Sequence, residues 1–235
     1  MRLALALLLS SLAANAAPAA AKGSASSTVE QSNEHVRAAL TRYFKATGPA
    51  REKARTQARA AVSALIDFET LAKATMGDRW ETLKPAERTR YTEALKGAME
   101  ASYLSRMKEQ QGADVAGVKT EILSEAPQGD DVLVKTRVHS GQDTAAIDYL
   151  MHKEAKGFRA VDVVTEGTSL VDTYRESVGK LLQKKKFEGV VAALEKKRKQ
   201  FEQESAAPAS GPAPAAAPGS ASGGAPADGA AKPSP

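Results

Sequence analysis

The sequence predicts an α+β domain in which N-terminal and C-terminal helices pack on a four-stranded antiparallel sheet. Three observations point to it. Apolar residues recur at helical spacing from Val29 to Met107, and from Val115 the period changes to alternation. Short polar turns separate the alternating stretches, as in a meander with one covered face and one wetter face. Finally, Gly157–Leu182 (GFRAVDVVTEGTSLVDTYRESVGKLL) reads as a last strand that enters an amphipathic helix without a long loop. A strand joined this tightly presses its helix across one sheet face. The space between them is then either filled by side chains or open to a guest.

The two ends of the 235-residue chain have a different character. Residues 1–16 (MRLALALLLSSLAANA) carry one basic residue and an apolar run too short to span a bilayer. Ala14-Asn15-Ala16 fits a signal-peptidase site, so an exported protein with a cleaved signal peptide is expected, followed by a flexible segment over 17–27. Residues 206–235 are Ala, Pro, Gly and Ser apart from Asp228 and Lys232. Such a composition cannot recover its ordering entropy and predicts a disordered tail. Residues 28–205 remain, about 180 residues and enough for one domain with a sizeable core. There is no cysteine, so packing alone holds that domain, and thiolate chemistry and Cys-ligated metals are excluded.

The net charge of +5 is mild and unevenly placed. Lys184, Lys185, Lys186, Lys196, Lys197, Arg198 and Lys199 lie near the end of the folded part. In an exported protein such a run suits anionic lipid head groups or an acidic protein partner better than nucleic acid. A solvated helix face is the plain alternative.

Four helices are expected first. Val29, Val36, Leu40 and Phe44 form one stripe, which Gly48-Pro49 closes. Pro49 suits the first turn of a second helix running through Ala54, Ala58, Ala61, Val62 and Leu65. Asp67 caps a third, with Phe68, Leu71, Ala72 and Met76 inward, Gly77 as the stop, and Trp80 in the core beyond it. The longest starts at Pro85, with Glu87 and Glu93 in its early turns where the dipole favours anions. Its stripe (Tyr91, Leu95, Ala98, Met99, Ser102, Tyr103, Arg106, Met107) is broad and rich in soft side chains. That suits either a variable guest or an ordinary core.

The strands follow. Val118, Thr120 and Ile122 make the first, and Pro127-Gln128-Gly129-Asp130 the turn. In the second, Val132, Val134, Thr136 and Val138 share one face, and Leu133, Lys135 and Arg137 the other. In the third, Ala145, Ile147, Tyr149 and Met151 alternate with Asp148, Leu150 and His152. Phe158, Val161, Val163 and Val164 make the fourth. Thr168 or Ser169 then caps a helix carrying Leu170, Tyr174, Val178, Leu181 and Leu182. Phe187, Val190, Val191 and Leu194 close the core.

There is no nucleotide loop, no Gly-x-Ser-x-Gly elbow and no His-Glu-x-x-His. Asp148, Tyr149 and Asp162 could line one pocket, where an acid and a tyrosine can enolise a ketone. Against this, an interior Asp more often accepts from a backbone N–H or from an arginine such as Arg175. His139 and His152 fall on adjacent strands without a third ligand, so no metal and no cofactor is expected. Gly167-Thr168-Ser169 is either a corner whose N–H groups point at a phosphate or a capped corner and nothing more.

Three motifs in order resemble a known family. They are Phe68, Ala72, Met76, Gly77 and Trp80; then Pro85 with Tyr91–Tyr103; then Asp162, Val163, Val164, Glu166, Gly167, Ser169, Leu170, Val171, Tyr174 and Arg175. Together they resemble MlaC, the periplasmic phospholipid-shuttle family also called toluene-tolerance auxiliary proteins, over Ala54–Lys197. The resemblance implies a monomeric, non-enzymatic phospholipid carrier whose sheet and helices enclose an apolar cavity. Its partners would be an inner-membrane MCE-domain subunit of an ABC transporter and an outer-membrane lipoprotein complex, in maintenance of outer-membrane asymmetry. Leu95, Met99, Tyr103, Val134, Val138, Ile147, Tyr149, Val161 and Val163 would line the cavity. Gly167, Thr168 and Ser169 would lie at the head group or corner, and Lys196, Lys197, Arg198 and Lys199 would dock the partners. Three features depart from the family. Phe158 stands for the usual tryptophan, Lys84 stands where a capping serine is common, and the tail is additional. A small enzyme on a cone-shaped sheet and a docking module with a filled core are the alternatives.

Overall fold

The computed structural model describes residues 23–109 and 115–206. The expected signal peptide and all but the first residue of the expected tail lie outside them. Helix α1 (Ala25–Lys45) begins three residues before the expected domain boundary at 28. Ser24 caps it, its Oγ accepting from the Ser27 N–H at 3.1 Å, and the Ser26 N–H reaches the Glu125 carboxylate at 2.9 Å. Ala25, Ser26 and Ser27 are accordingly buried rather than part of a loose leader. Helix α2 (Gly48–Leu65) has its proline in the first turn and packs along α1 through the small residues Ala54 and Ala58.

Asp67 caps α3 (Phe68–Met76), accepting from the N–H groups of Glu69 and Thr70. Gly77, with φ of 60°, takes the left-handed conformation that ends it, and a 3-10 turn over Gly77–Thr82 buries Trp80 beneath the Arg88 guanidinium. Helix α4 (Pro85–Glu109) starts without the capping serine. The Lys84 N–H instead donates to the Glu87 carboxylate at 2.7 Å, the half of a capping box that needs no hydroxyl.

The sheet has five strands, not four. β1 (Lys119–Gln128), β2 (Asp131–Ser140), β3 (Asp143–Glu154), β4 (Gly157–Thr165) and β5 (Thr168–Ser169) lie in that order, each antiparallel to the next. The extra strand arises at Glu166-Gly167, whose φ values of 48° and 77° are those of a tight hairpin whose twist matches its strands. The turn folds Thr168 and Ser169 back onto Thr165 and Val164 before the last helices begin. Glu166 tolerates this conformation because it is tied to β3: its N–H donates to the Ala146 carbonyl and its carboxylate accepts from the Ala146 N–H.

Two bulges bend the sheet. Leu123 is the extra residue between Ile122 and Ser124 of β1, and Val161 is the extra residue of β4 opposite Leu150–Met151. Helix α5 (Leu170–Lys184) packs on α3, and α6 (Phe187–Ala206) runs along α4. The α2–α3 junction is fastened to β4 by the Asp67 N–H on the Ala160 carbonyl and by the Arg159 guanidinium on the Ile66 carbonyl.

The apolar interior is divided in two. The larger core joins the inner sheet face (Val134, Tyr149, Met151, Ala160) to α3, the first half of α4, and the buried sides of α5 and α6. A smaller one joins Ala39, Leu40 and Tyr43 of α1, Ala54 and Ala58 of α2, and Leu104 of α4. The enclosed apolar cavity expected between sheet and helices is not seen among the described residues. Leu95, Val134 and Met151 are fully buried there, and Met99 and Tyr149 are buried in the same core.

Candidate functional site

The register of the sheet sets one wall. Val134 of β2 pairs with Tyr149 of β3, which pairs with Val163 of β4, so these three cross the sheet in one row. Ile147 and Val163 pack half-buried against the larger core. The other wall is α4. Leu95 and Met99 are buried, Tyr103 is half-buried, and Arg106 is exposed, so one helix face passes from apolar interior to solvent within three turns. Across the two walls, two phenols lie within electrostatic reach of one another. Burial pushes the Tyr103 hydroxyl well above its ordinary pKa, and neighbouring Tyr149 adds to this. Burial likewise raises Tyr149, partly offset by its hydrogen bond to Asn33 of α1 at 3.2 Å. This is where the larger and the smaller core adjoin: Tyr149 belongs to one and Tyr103 packs on the other.

Of the nine expected lining residues, Leu95, Met99, Val134 and Tyr149 share the larger core, with Ile147 and Val163 against it. Tyr103 faces Tyr149 from the smaller one. Val138 is half-buried in neither core. Val161, displaced by the bulge, is buried but also stands outside both. Strict alternation from Val163 puts Val161 on the inner face, and only the extra residue reveals that Ala160 takes that place. Asn33 escaped notice, although it shares a helix face with Val29, Val36 and Leu40, where a polar residue needs an interior partner.

The strand-to-helix corner is bonded within the chain around Asp162 and Ser169. Ser169 Oγ accepts from the Asp172 N–H at 3.0 Å and donates to Asp162 at 2.6 Å. Asp162 also accepts from the N–H groups of Val163 at 2.8 Å and Val171 at 3.0 Å. A carboxylate of the chain thus holds the position at the start of α5 that a phosphate would need. Of Gly167-Thr168-Ser169, Ser169 caps α5.

The acids do not gather around Tyr149 either. Asp148 and Asp162 lie on the opposite sheet face from it, Asp148 accepting from the Thr136 N–H at 3.3 Å. Arg175 pairs with neither; it bonds Asp172 and the Ala74 carbonyl. His139 pairs with Glu121 and His152 with Asp131, at opposite ends of β2, about 27 Å apart along the strand. No cluster of three potential metal ligands occurs among the described residues.

The four expected docking residues separate. All four are exposed on α6, and they differ in what they touch. The Lys197 ammonium lies 6.0 Å from the Tyr174 ring and 5.8 Å from the Phe201 ring. Arg198 bonds Glu202 at 2.9 Å and crosses α4 at Gly97, where a Cβ would come within 2.9 Å of its Cδ. Glu202 in turn meets Arg59 of α2, which pairs with buried Glu100 of α4 at 3.1 Å, while the Ser63 hydroxyl donates to the same carboxylate. Arg198 is thus part of a polar seam joining α2, α4 and α6.

Among solved structures, one of similar fold is described as the phospholipid-binding protein from Ralstonia solanacearum in complex with a phospholipid. It aligns with a TM-score of 0.64 at 19% identity, covering 75% of this chain and 97% of that one. At that identity the likeness is one of fold. The family described as MlaC protein matches residues 30–196, most of the chain. The chain therefore belongs to the MlaC family.

Proposed function

We propose that this protein is a phospholipid carrier that holds acyl chains between α4 and the inner sheet face. The observation that carries the reading is the family match over 30–196; the relative from Ralstonia solanacearum, solved with a phospholipid, supports it. The physical need is plain. Each methylene buried from water is worth about 0.8 kcal/mol, so two acyl chains do not cross an aqueous space unshielded. The α4 face offers Leu95, Met99 and Tyr103 in line, and the opposite wall offers Val134, Ile147, Tyr149 and Val163. To admit chains these walls part, with Met99 and Met107 adapting to the guest.

Exported by residues 1–16, such a carrier works in the periplasm. It exchanges lipid with an MCE-domain subunit of an inner-membrane ABC transporter and an outer-membrane lipoprotein complex, preserving outer-membrane asymmetry. No helix among the described residues is long and apolar enough to cross a membrane. All four expected docking cations are exposed; Lys196 and Lys199 are the two without an ion pair or ring contact among the described residues, and so the freest to meet a partner. The test is native mass spectrometry of the mature protein purified without detergent, with organic extraction of what it carries. A bound mass matching a diacyl phospholipid is expected. A clean apo mass, with no uptake from phosphatidylglycerol vesicles, would overturn the carrier reading.

A further inference from the structure

The tip of the α1–α2 hairpin gathers positive charge that the fold leaves unanswered. Between His35 and Ile66 the sequence holds Arg37, Arg42, Lys45, Arg51, Lys53, Arg55 and Arg59 against a single acid, Glu52. Glu52 is committed to Arg55 at 2.7 Å. Arg37 reaches the Ala116 carbonyl at 2.8 Å, and Arg59 belongs to the seam with Glu100 and Glu202. Arg42, Lys45, Arg51 and Lys53 remain, and none of them has an ion pair among the described residues. Arg42, Lys45 and Lys53 are exposed, as are residues 47–50 between the helices. The Arg51 guanidinium lies 5.0 Å from the Tyr43 ring, which brings the charge of α2 onto α1 beside Arg42 and Lys45. Helix electrostatics accounts for half of this set. Arg42 and Lys45 complement the negative end of α1, in whose last turn they stand. Arg51 and Lys53 stand near the positive end of α2, whose first turn holds no acid, and so add like charge to like. Other helices match such cations, as Lys73 and Arg88 do with Glu81, Arg90 with Glu188 and Lys180 with Glu176.

The kind of partner follows from what the tip lacks. Tyr43 is buried beneath Arg51, and the turn offers only Thr47, Gly48, Pro49 and Ala50. The one large apolar side chain exposed among the described residues, Leu123, lies on β1. A protein interface is anchored by large side chains seated in pockets, and none is presented here. A charged bilayer needs no such anchor. It attracts point charges spread over an exposed tip, and does so most strongly at low salt. We propose that Arg42, Lys45, Arg51 and Lys53 seat the α1–α2 tip on the surface of an anionic lipid bilayer. Tyr103 and Met107 of α4 pack on the same smaller core as Leu40, Tyr43 and Ala54, so a bilayer at the tip stands beside the last turns of α4. The use of this docking for lipid exchange rests on the carrier reading, whereas the docking itself does not.

The experiment is flotation with vesicles of two compositions. Mature protein is mixed with vesicles of dioleoyl-phosphatidylcholine, with or without an equal part of dioleoyl-phosphatidylglycerol, and spun through a sucrose gradient. The variants are a combination of Arg42→Gln, Lys45→Gln and Lys53→Gln, and Arg51→Gln alone. Lys119→Gln, Lys153→Gln and Lys156→Gln together, all exposed on the sheet side, are the charge-matched control. Far-ultraviolet circular dichroism confirms folding. We expect the wild type to float only where phosphatidylglycerol is present and to be released by salt. Each cation lost lowers partitioning about fivefold, so about a hundredfold in the triple variant, with the control close to wild type. A folded triple variant that floats like wild type overturns the proposal, as does a wild type that floats on both vesicles alike or on neither. Retention on polyglutamate that the triple variant loses, without flotation of the wild type, would assign the tip to an acidic protein instead. Native mass spectrometry of the same samples keeps the two readings apart. Protein that floats through its tip yet carries no lipid fails as a carrier and retains the docking surface.

Discussion

Asp162 shows how one carboxylate can organise a corner. It gathers the N–H groups of Val163 and Val171 and the hydroxyl of Ser169, so strand, turn and helix converge on a single side chain. Asp162→Ala leaves these donors without a partner and is expected to cost about 2–3 kcal/mol. Asp162→Asn, which keeps one accepting oxygen, should cost less. Urea denaturation of both variants measures this, and an alanine variant as stable as wild type would show that water replaces the carboxylate without loss. At this scale the sequence was legible where chemistry is local. Asp67 as a cap and Gly77 as a stop follow from residue type alone, whereas the choice between Thr168 and Ser169 as the next cap fell to Ser169 only in the structure. It was illegible where a partner lies far along the chain: nothing local ties Asn33 to Tyr149, or Arg198 to Gly97.

Among the elements, α1 has the least expected attachment. Its first turn is held by Glu125 of β1, whose carboxyl is pushed up by burial but pulled further down by the hydroxyl and N–H of Ser26 and the N–H of Ala25. Its folded pKa lies below the ordinary 4.5, so the contact contributes fully above that value and is lost as pH falls through the folded pKa. Hydrogen exchange should find the first-turn amides of α1 protected at pH 7 and released on acidification. Glu125→Gln should remove that pH dependence, and an identical profile in the variant would place the release elsewhere. The helices and the first four strands were readable from their periods, since 3.6 and 2 are enforced by burial of one face. The bulges were not. An extra residue at Leu123 or Val161 reverses the expected face without leaving a mark in composition, which is why the inward side of β4 came out shifted.

For the molecule as a whole, the question is whether the meeting of the two cores is a store for lipid or simply interior. Ile147 separates these, being half-buried beside the row yet not fully packed. Ile147→Phe should lower lipid occupancy several-fold while changing folding stability by less than about 1 kcal/mol. Equal loss of both, followed by mass spectrometry and denaturation together, would mark an ordinary core. Family membership was within reach of three spaced motifs, whereas the closed interior was not, because apolar walls read alike whether they meet each other or a guest.

The bulge at Leu123 bears on how the molecule keeps to itself. Among the described residues β1 pairs with β2 alone, leaving its outer backbone turned away from the sheet, and an unpaired strand edge is a template on which another chain can extend the ladder. The interruption after Ile122 breaks the even spacing of that template. Pro127 removes a donor near its end. On the carrier reading proposed above, walls that part present apolar surface, and an edge on which copies gain little by stacking into fibrils is the matching safeguard.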